Sequence, residues 1–479
     1  MPAQLTLVQI NDTHAYLDPH YELFWTGHGA EYRRAGGFAR IAALIKHIRQ
    51  ESAGQVLVFD GGDTFHGTYP AVQTQGEIML PVLNSLGLAG MTGHWDFAYG
   101  PARLQELTSR LTYPMLAVNC YHDDSKRRVF PAFNLWEMGT LRVGVIGVAA
   151  TIVDKTMPPH FSEGVYLTLG KDELPEVIAH LRDQERVNLI VVVSHLGFAQ
   201  DLQLAEDVGG IDVLLSAHTH NRVRTPARVN DTLIIQSGCH GSFIGRLDLT
   251  IEGGRVADYQ HALITVGESV IPDLDMQALV DELMSPYREP LSDVVGRTDV
   301  ALNRNTVFEA TMDNFLLQAA LRHTDAQIAF SNGWRYGAPI PVGPVTLNDL
   351  YNITPMNPPI GVVDLTGEEI QIMLEENLEH TFSRQPYQQM GGYLKRMAGV
   401  TMYAKLENPN GQRIQQLFVQ GKLLDPKRVY SAAFVTEQGV PARYGANRQQ
   451  TSMRAVEAMH ELLLHTATGW DLSDSFIAI

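Results

Sequence analysis

At 479 residues the sequence is too long for one ordinary hydrophobic core, so two or three domains are expected. Its 36 basic and 53 acidic residues leave a net charge of −17, which excludes a nucleic-acid polymer as the main partner, because phosphate backbones need clustered cations. A small anionic ligand stays open wherever a metal ion or a few arginines supply local positive charge.

A hydrophobic content of 45% and a charged content of 19% are those of a soluble globular protein. Cys120 and Cys239 cannot make a disulfide framework and read as free thiols. The start, Met1-Pro2-Ala3-Gln4-Leu5, has no basic region and no long apolar run, so it does not read as a signal peptide. No stretch approaches the roughly 18 apolar residues of a membrane helix. These features predict a cytoplasmic chain without a membrane partner, or a periplasmic one if a leader has been removed.

In chain order, residues 5–10 predict a strand, with Asp12 and His14 in the loop behind it. Phe38, Ile41, Leu44, Ile45 and Ile48 give helix spacing over residues 37–50. Residues 55–59 predict a strand ending in Asp60-Gly61-Gly62-Asp63, and 76–86 a helix. Residues 90–92 form a short strand or turn entering Gly93-His94-Trp95-Asp96-Phe97-Ala98-Tyr99-Gly100. Strands follow at 115–118, 141–148, 187–193 and 211–215, with a helix at 172–185 and closing strands at 233–236 and 243–251. Alternating strands and helices imply α/β layers. The polar candidates recur at the C-terminal ends of strands, the edge where open α/β sheets bind ligands.

The pattern changes after residue 265. Residues 266–300 read as a linker with one amphipathic helix at 275–284, and a second domain occupies 301–479. That domain shows a helix at 312–321, a strand at 326–330 and a polar loop at 331–337. Thr366 and Glu369 form a capping box heading a helix to about His380, and Gly391-Gly392 leads toward a strand near 400–405.

Asp12 and His14 are two residues apart, so on extended chain both side chains face one way and can clamp one cation. His218 and His220 repeat that spacing, His195 stands alone after a strand, and Asp63 follows two glycines that let backbone approach a charged centre. Mixed imidazole and carboxylate ligands suit Mn, Fe, Co or Zn better than Ca or Mg. One such histidine is more often packed or at the surface. Five polar segments in order, each at a strand end, point to metal.

These segments resemble the calcineurin-like metallophosphoesterases, whose ordered signature is Asp-x-His, Gly-Asp, Gly-Asn-His-Glu/Asp, a lone His and Gly-x-His-x-His. The resemblance covers residues 5–250. It implies an N-terminal αββα sandwich over 1–265 and two divalent metal ions, Mn foremost, with Zn, Fe or Co open. Carried over, Asp12, His14, Asp63 and His220 hold the first metal. Asp63, His195 and His218 hold the second, with Asp63 bridging and a fourth ligand from the Gly93-to-Gly100 stretch. Residues 301–479 resemble the C-terminal α/β substrate domain of 5'-nucleotidases, with Asn332-Gly333-Trp334-Arg335 where that family has Asn-Gly-Gly-x-Arg.

The middle stretch departs from the family. Nucleotidases carry Gly-Asn-His-Glu-Phe-Asp-Tyr-Gly there, so His94 falls on a metal-binding Asn, Trp95 on the His that assists at the transition state, and Asp96 on the acidic residue. Asp63, His94, Trp95 and Asp96 are therefore the expected catalytic group. Imidazole replaces the amide as a ligand, but indole cannot exchange a proton near neutral pH. Loss of that proton matters for an alkoxide, whose parent acid has a pKa near about 15.7, and little for a thiolate, with a parent near about 8.5.

This change is similar to the branch containing the sulfate-thiol hydrolases of bacterial sulfur oxidation, which have a Gly-His-Trp-Glu-Phe-type segment. Gly391-Gly392-Tyr393-Leu394-Lys395-Arg396 resembles a Gly-Gly-Asp-Met-Val-Arg loop of that branch. Arg335 and Arg396 are then expected to hold a phosphate or sulfate group, whose oxygens match a guanidinium fork. Asn332, Trp334, Tyr336 and Tyr393 complete the expected substrate residues, with Trp334 or Tyr393 stacking where the family's purine clamp is weakened. The leading expectation is a two-metal phosphoester hydrolase in which a metal-activated water attacks. The alternative releases sulfate from a cysteine S-thiosulfonate, and a third reading is a metal-holding binding protein without turnover.

Overall fold

The computed structural model describes residues 2–52, 55–466, 470 and 474–479, and its N-terminal half is built on two β-sheets. The first has the order Arg255–Thr265, Phe243–Glu252, Ala3–Ile10, Val56–Asp60, Gly90–Met91. The second has the order Ala227–Val229, Thr232–Ile235, Val213–Ser216, Leu189–Ser194, Leu141–Val148, Phe133–Met138. Ala3–Ile10 runs parallel to Val56–Asp60, and Leu189–Ser194 runs parallel to both Leu141–Val148 and Val213–Ser216.

Parallel strands covered on both faces read as near-continuous apolar runs, and the five residues from Leu189 to Val193 are such a run. Leu189, Val191 and Val193, with Val143 and Val145, share one core with Leu5, Leu7, Leu57 and Phe59 of the other sheet. The intervening Ile190, Val192, Ile146 and Val148 pack on the opposite face with Leu174, Leu181 and Leu204 of the helices Leu174–Asp183 and Phe198–Asp207. The helix Phe38–Glu51 buries Phe38, Ile41, Ile45 and Ile48, the stripe its spacing predicts. Two sheets face to face with helices outside make an αββα sandwich, and the chain as a whole is mixed α/β.

The chain divides into two units: Met1–His20 with Arg34–Ser285, and Tyr21–Arg33 with Pro286–Ile479. The expected continuous stretch 1–265 is thus interrupted by an antiparallel hairpin, His20–Thr26 with Gly29–Ala35, that carries no alternation strong enough to predict it. The expected linker 266–300 is also more ordered than read. One helix spans Leu274–Leu291, and Val294–Thr298 pairs with Gly343–Thr346. Residues 115–118 form no ladder, because their amides go to three different partners: Leu116 to Met91, Ala117 to Pro131 and Val118 to Gly147.

The second unit has a five-stranded sheet, ordered Tyr393–Ala398, Ile328–Gly333, Val429–Val435, Pro359–Thr366, Ala446–Arg454. Thr366 and Glu369 do form a capping box, heading the helix Gly367–Phe382, and Thr346 with Asp349 forms a second for Leu347–Ile353. Among the described residues no helix is long and apolar enough to cross a membrane.

Candidate metal centre

Five strands of the first unit end at the same edge, and each delivers part of one cluster. Asp12 and His14 follow Ala3–Ile10, Asp63 follows Val56–Asp60, His94 follows Gly90–Met91, His195 follows Leu189–Ser194, and His218 and His220 follow Val213–Ser216. Asp12, His14, Asp63, His218 and His220 all have positive φ, between 48° and 73°. Non-glycine residues seldom adopt that region, and backbone strain of this kind gathers at functional sites. Gly62 has φ 94°, and a Cβ there would lie 2.7 Å from the Thr92 carbonyl oxygen, so the tight turn before Asp63 requires glycine.

The ligand atoms form two groups that share Asp63. Asp63, His94, His195 and His218 bring one atom each within 4.8 Å of one another, and so do Asp12, His14, Asp63 and His220. Asp63 Oδ1 is 3.4 Å from His94 Nδ1, while its Oδ2 is 3.4 Å from His195 Nε2 and 3.7 Å from His14 Nε2. Asp12 Oδ1 is 3.3 Å from His220 Nε2. The structure therefore brings together all seven residues that the sequence singled out as ligands, including His94.

Outer hydrogen bonds aim these side chains. His195 Nδ1 donates to the Gly61 carbonyl at 2.6 Å and His14 Nδ1 to the His66 carbonyl at 3.2 Å, which turns both Nε2 atoms inward. Asp12 accepts from the His218 amide and from Asn11 Nδ2. Asp63 Oδ1 accepts from the Trp95 amide at 2.6 Å. Asp201 bridges Ser194 Oγ and Ser216 Oγ, tying the two strands that lead to His195 and His218.

Burial works against charge on Asp63, but His195 and His94 outweigh it and hold the carboxyl well below its ordinary range. Asp12 is lowered in the same way, burial opposing and His220 and His195 prevailing. Burial opposes the His195 charge as well, yet the Asp63 and Asp12 carboxylates push it up to about 10. His14 goes the other way, to about 3, because burial outweighs Asp63.

Both ring nitrogens of His94 and Nε2 of His195 are buried without a hydrogen-bond partner among the described residues. Buried polar atoms are nearly always satisfied, so unpaired imidazole nitrogens in a group whose ligand atoms, one per residue, lie within 4.8 Å of one another ask for a cation. Two carboxylates and five imidazoles are donors that divalent transition ions accept. The residues fit the two-metal expectation.

Asp96 does something other than expected. It is fully buried, and Oδ2 accepts from the amides of Asp63 at 2.9 Å and His94 at 3.1 Å. Oδ1 accepts from Thr64 and Phe65 at 2.9 and 3.0 Å. With both oxygens spent on backbone, Asp96 is a clamp on the ligand loops and has no lone pair directed at a substrate. Trp95 is half-buried, with its ring stacked on His66 at 4.8 Å between centroids.

The residues expected to hold substrate gather at one edge of the second unit. Asn332 lies near the end of the strand Ile328–Gly333, which pairs with Tyr393–Ala398. Arg335 Nη2 donates to the Gly392 carbonyl at 2.9 Å, and its guanidinium lies 5.1 Å from the Tyr393 ring. Arg396 corrects the expectation: it is 2% exposed, pairs with Asp313 at 3.0 Å and donates to the Thr306 and Val307 carbonyls. Arg304 takes the other oxygen of Asp313, at 2.9 Å. Trp334 and Tyr336 are buried too, with the Arg304 guanidinium 5.2 and 5.8 Å from their rings, so neither offers an open face. Asn332, Arg335 and Tyr393 keep partial exposure.

Reading the sequence missed Asn11, His66, Asp201 and the structural role of Asp96. Asn11 abuts Asp12, and that adjacency was its one local signal; the others act across elements far apart in the chain.

Residues 5–222 match the calcineurin-like phosphoesterase family, and residues 293–436 match the C-terminal domain of 5'-nucleotidases. The chain belongs to the 5'-nucleotidase-type metallophosphoesterases. It is accordingly a hydrolase. The trifunctional nucleotide phosphoesterase protein YfkN of Bacillus subtilis is 25% identical over 464 residues, 87% of this chain but 30% of the length of that protein. The sulfate thiohydrolase SoxB of Thermus thermophilus superposes with a TM-score of 0.89 at 25% identity, over 99% of this chain and 95% of that one. A 5'-nucleotidase precursor, also from Thermus thermophilus, superposes with a TM-score of 0.87 at 24% identity, over 100% and 99%, a likeness of fold. The family's divalent ions have candidate ligands in the two groups around Asp63.

Proposed function

We propose that this metallophosphoesterase is a two-metal hydrolase of a small anionic ester, most directly a phosphoester of nucleotide type. The observation that carries the reading is the pair of four-ligand groups sharing Asp63. Asp12, His14, Asp63 and His220 would hold one ion, and Asp63, His94, His195 and His218 the other; Mn is proposed foremost, with Zn, Fe and Co as competitors. Bound there, the ions would supply Lewis-acid charge to the ester oxygens and make water nucleophilic near neutral pH.

The chain's own residues do the rest. The Trp95 amide and the Asp96 clamp hold Asp63 in register, and the Gly61 and His66 carbonyls fix the tautomers of His195 and His14. In the second unit Asn332, Arg335 and Tyr393 are the proposed substrate residues, Arg335 for the anionic group. Trp95 can donate one hydrogen bond and no proton, so the departing group must leave without one from this position.

That property also favours a second reading, sulfate release from a cysteine S-thiosulfonate, which the similarity to sulfate thiohydrolase SoxB supports. The test loads the protein with Mn or Zn and follows phosphate or sulfate release from nucleotides, an aryl phosphate and a sulfonated cysteine peptide. The phosphoester reading expects turnover of nucleotides or aryl phosphate and its loss in Asp63→Ala. Turnover of the peptide with inert phosphoesters reverses the order of the two readings, and full activity in Asp63→Ala ends both.

A further inference from the structure

Beside the ligand group of Asp63, His94, His195 and His218 stands an aromatic wall that holds none of those ligands. Its centre is Trp95. The Trp95 amide donates to Asp63 Oδ1 at 2.6 Å, which places this residue at the shared ligand. Its ring lies 6.0 Å from that of His94, at 63°. Two further rings fix the indole plane. His66, fully buried, stacks on it at 4.8 Å and 20°, and Phe161, 2% exposed, meets it at 5.5 Å and 76°. Phe161 comes from the turn Pro159–Ser162 and His66 from the loop after Asp63, so two separate segments converge on one indole. Tyr99 adds a tilted contact to His66 at 5.9 Å.

A tryptophan held at set angles next to a ligand cluster offers a rigid apolar surface at low entropic cost. Its neighbours keep it from turning away, and its single N–H supplies no proton to a departing oxygen. What suits such a surface is a planar, apolar group that leaves easily.

We infer that His66 and Phe161 are positioning residues for Trp95, and that the indole they hold selects aromatic esters, an aryl phosphate being the simplest. The inference rests on the hydrolytic reading of the centre given above. In the reaction the water oxygen forms a bond to phosphorus and the bond from phosphorus to the aryl oxygen breaks. The aryloxide leaves with the electron pair, and the protons of the water end on phosphate and in solvent. A phenolic oxygen, with a parent pKa near about 10, departs without help that an alkoxide would need.

The test uses two phosphonates that cannot be hydrolysed, phenylphosphonate and methylphosphonate, titrated calorimetrically into the Mn-loaded protein. It adds KM and kcat for phenyl phosphate, and metal content for every variant. The wild type is expected to bind phenylphosphonate about tenfold more tightly than methylphosphonate, a preference within the range of aromatic contacts. His66→Ala, which keeps the backbone carbonyl that His14 uses, is expected to cut that preference about fivefold and to raise KM for phenyl phosphate by a larger factor than it lowers kcat. His66→Phe, which keeps a stacking ring, restores the preference, and Phe161→Ala weakens it from the other segment. Equal affinity for the two phosphonates in the wild type overturns the inference and leaves the hydrolytic reading standing. An undiminished preference in both His66→Ala and Phe161→Ala overturns it as well. If neither phosphonate binds and no ester turns over, the hydrolytic reading falls and takes this one with it.

Discussion

Asp96→Asn separates a carboxylate that does chemistry from one that holds backbone. The substitution keeps the shape and removes one acceptor. Whichever way the amide turns, its NH2 faces two backbone N–H groups: Asp63 and His94 in one orientation, Thr64 and Phe65 in the other. Two hydrogen bonds to a buried carboxylate are lost, at about 1.5–3 kcal/mol each, so unfolding free energy should fall by about 3–6 kcal/mol. Against a typical domain stability of about 5–15 kcal/mol that is a large fraction. The same loops carry Asp63 and His94, so Mn affinity should fall about 10–100-fold, as when an outer contact of a metal ligand is removed. Urea unfolding and metal content at limiting Mn measure the two effects. A variant that keeps its unfolding free energy within about 1 kcal/mol and its full metal content, yet loses turnover, would refute the clamp and return Asp96 to the chemistry.

Three further outcomes follow from geometry elsewhere. Gly62→Ala forces a Cβ to within 2.7 Å of the Thr92 oxygen at φ 94°, and should cost about 3 kcal/mol and part of the bound metal, read by thermal unfolding and elemental analysis. Asp313→Ala leaves the buried Arg304 and Arg396 without their shared counter-ion and should cost about 3–5 kcal/mol in urea unfolding. Burial pushes the Lys395 ammonium down to about 7, and the neutral amine still has two hydrogens for the Gln438 and Gly439 carbonyls. A lysine held below its ordinary pKa loses its proton on folding, so stability should rise with pH by about 1.4 kcal/mol per unit, from about 7 toward the unfolded value near 10.4, and be flat below. Lys395→Met should lack that rise when urea unfolding is followed from neutral to alkaline pH.

The ligands were legible because each sits within four residues of a strand end, and the strands are short apolar runs that a reader can delimit. Asp12, Asp63, His195 and His218 share that signature, and His94 followed from matching eight consecutive positions. The roles of Asp96, Arg396 and Trp334 were not legible, since each depends on what faces the side chain. An acidic residue beside metal ligands reads as catalytic until four amides are seen converging on it. An arginine in a glycine-led loop reads as an anion holder until Asp313, 83 positions earlier in the chain, is found opposite. The hairpin escaped for a different reason. Its second strand, Gly29–Ala35, is mostly exposed, so no inward-facing alternation marks it.

The hairpin has a consequence for how the molecule is made and taken apart. Its residues Tyr21–Arg33 count with Pro286–Ile479, where Asn303 Nδ2 donates to Tyr32 Oη at 3.0 Å. On the ribosome these thirteen positions emerge more than 250 residues before the partners they belong with. At a synthesis rate of about 5–20 residues per second, the ribbon waits roughly 13–50 seconds for its neighbours. No single cut yields two complete halves. A truncation at Ser285 would carry an orphaned ribbon, and the complementary fragment would lack one, so a separable C-terminal unit must be built with residues 21–33 grafted on.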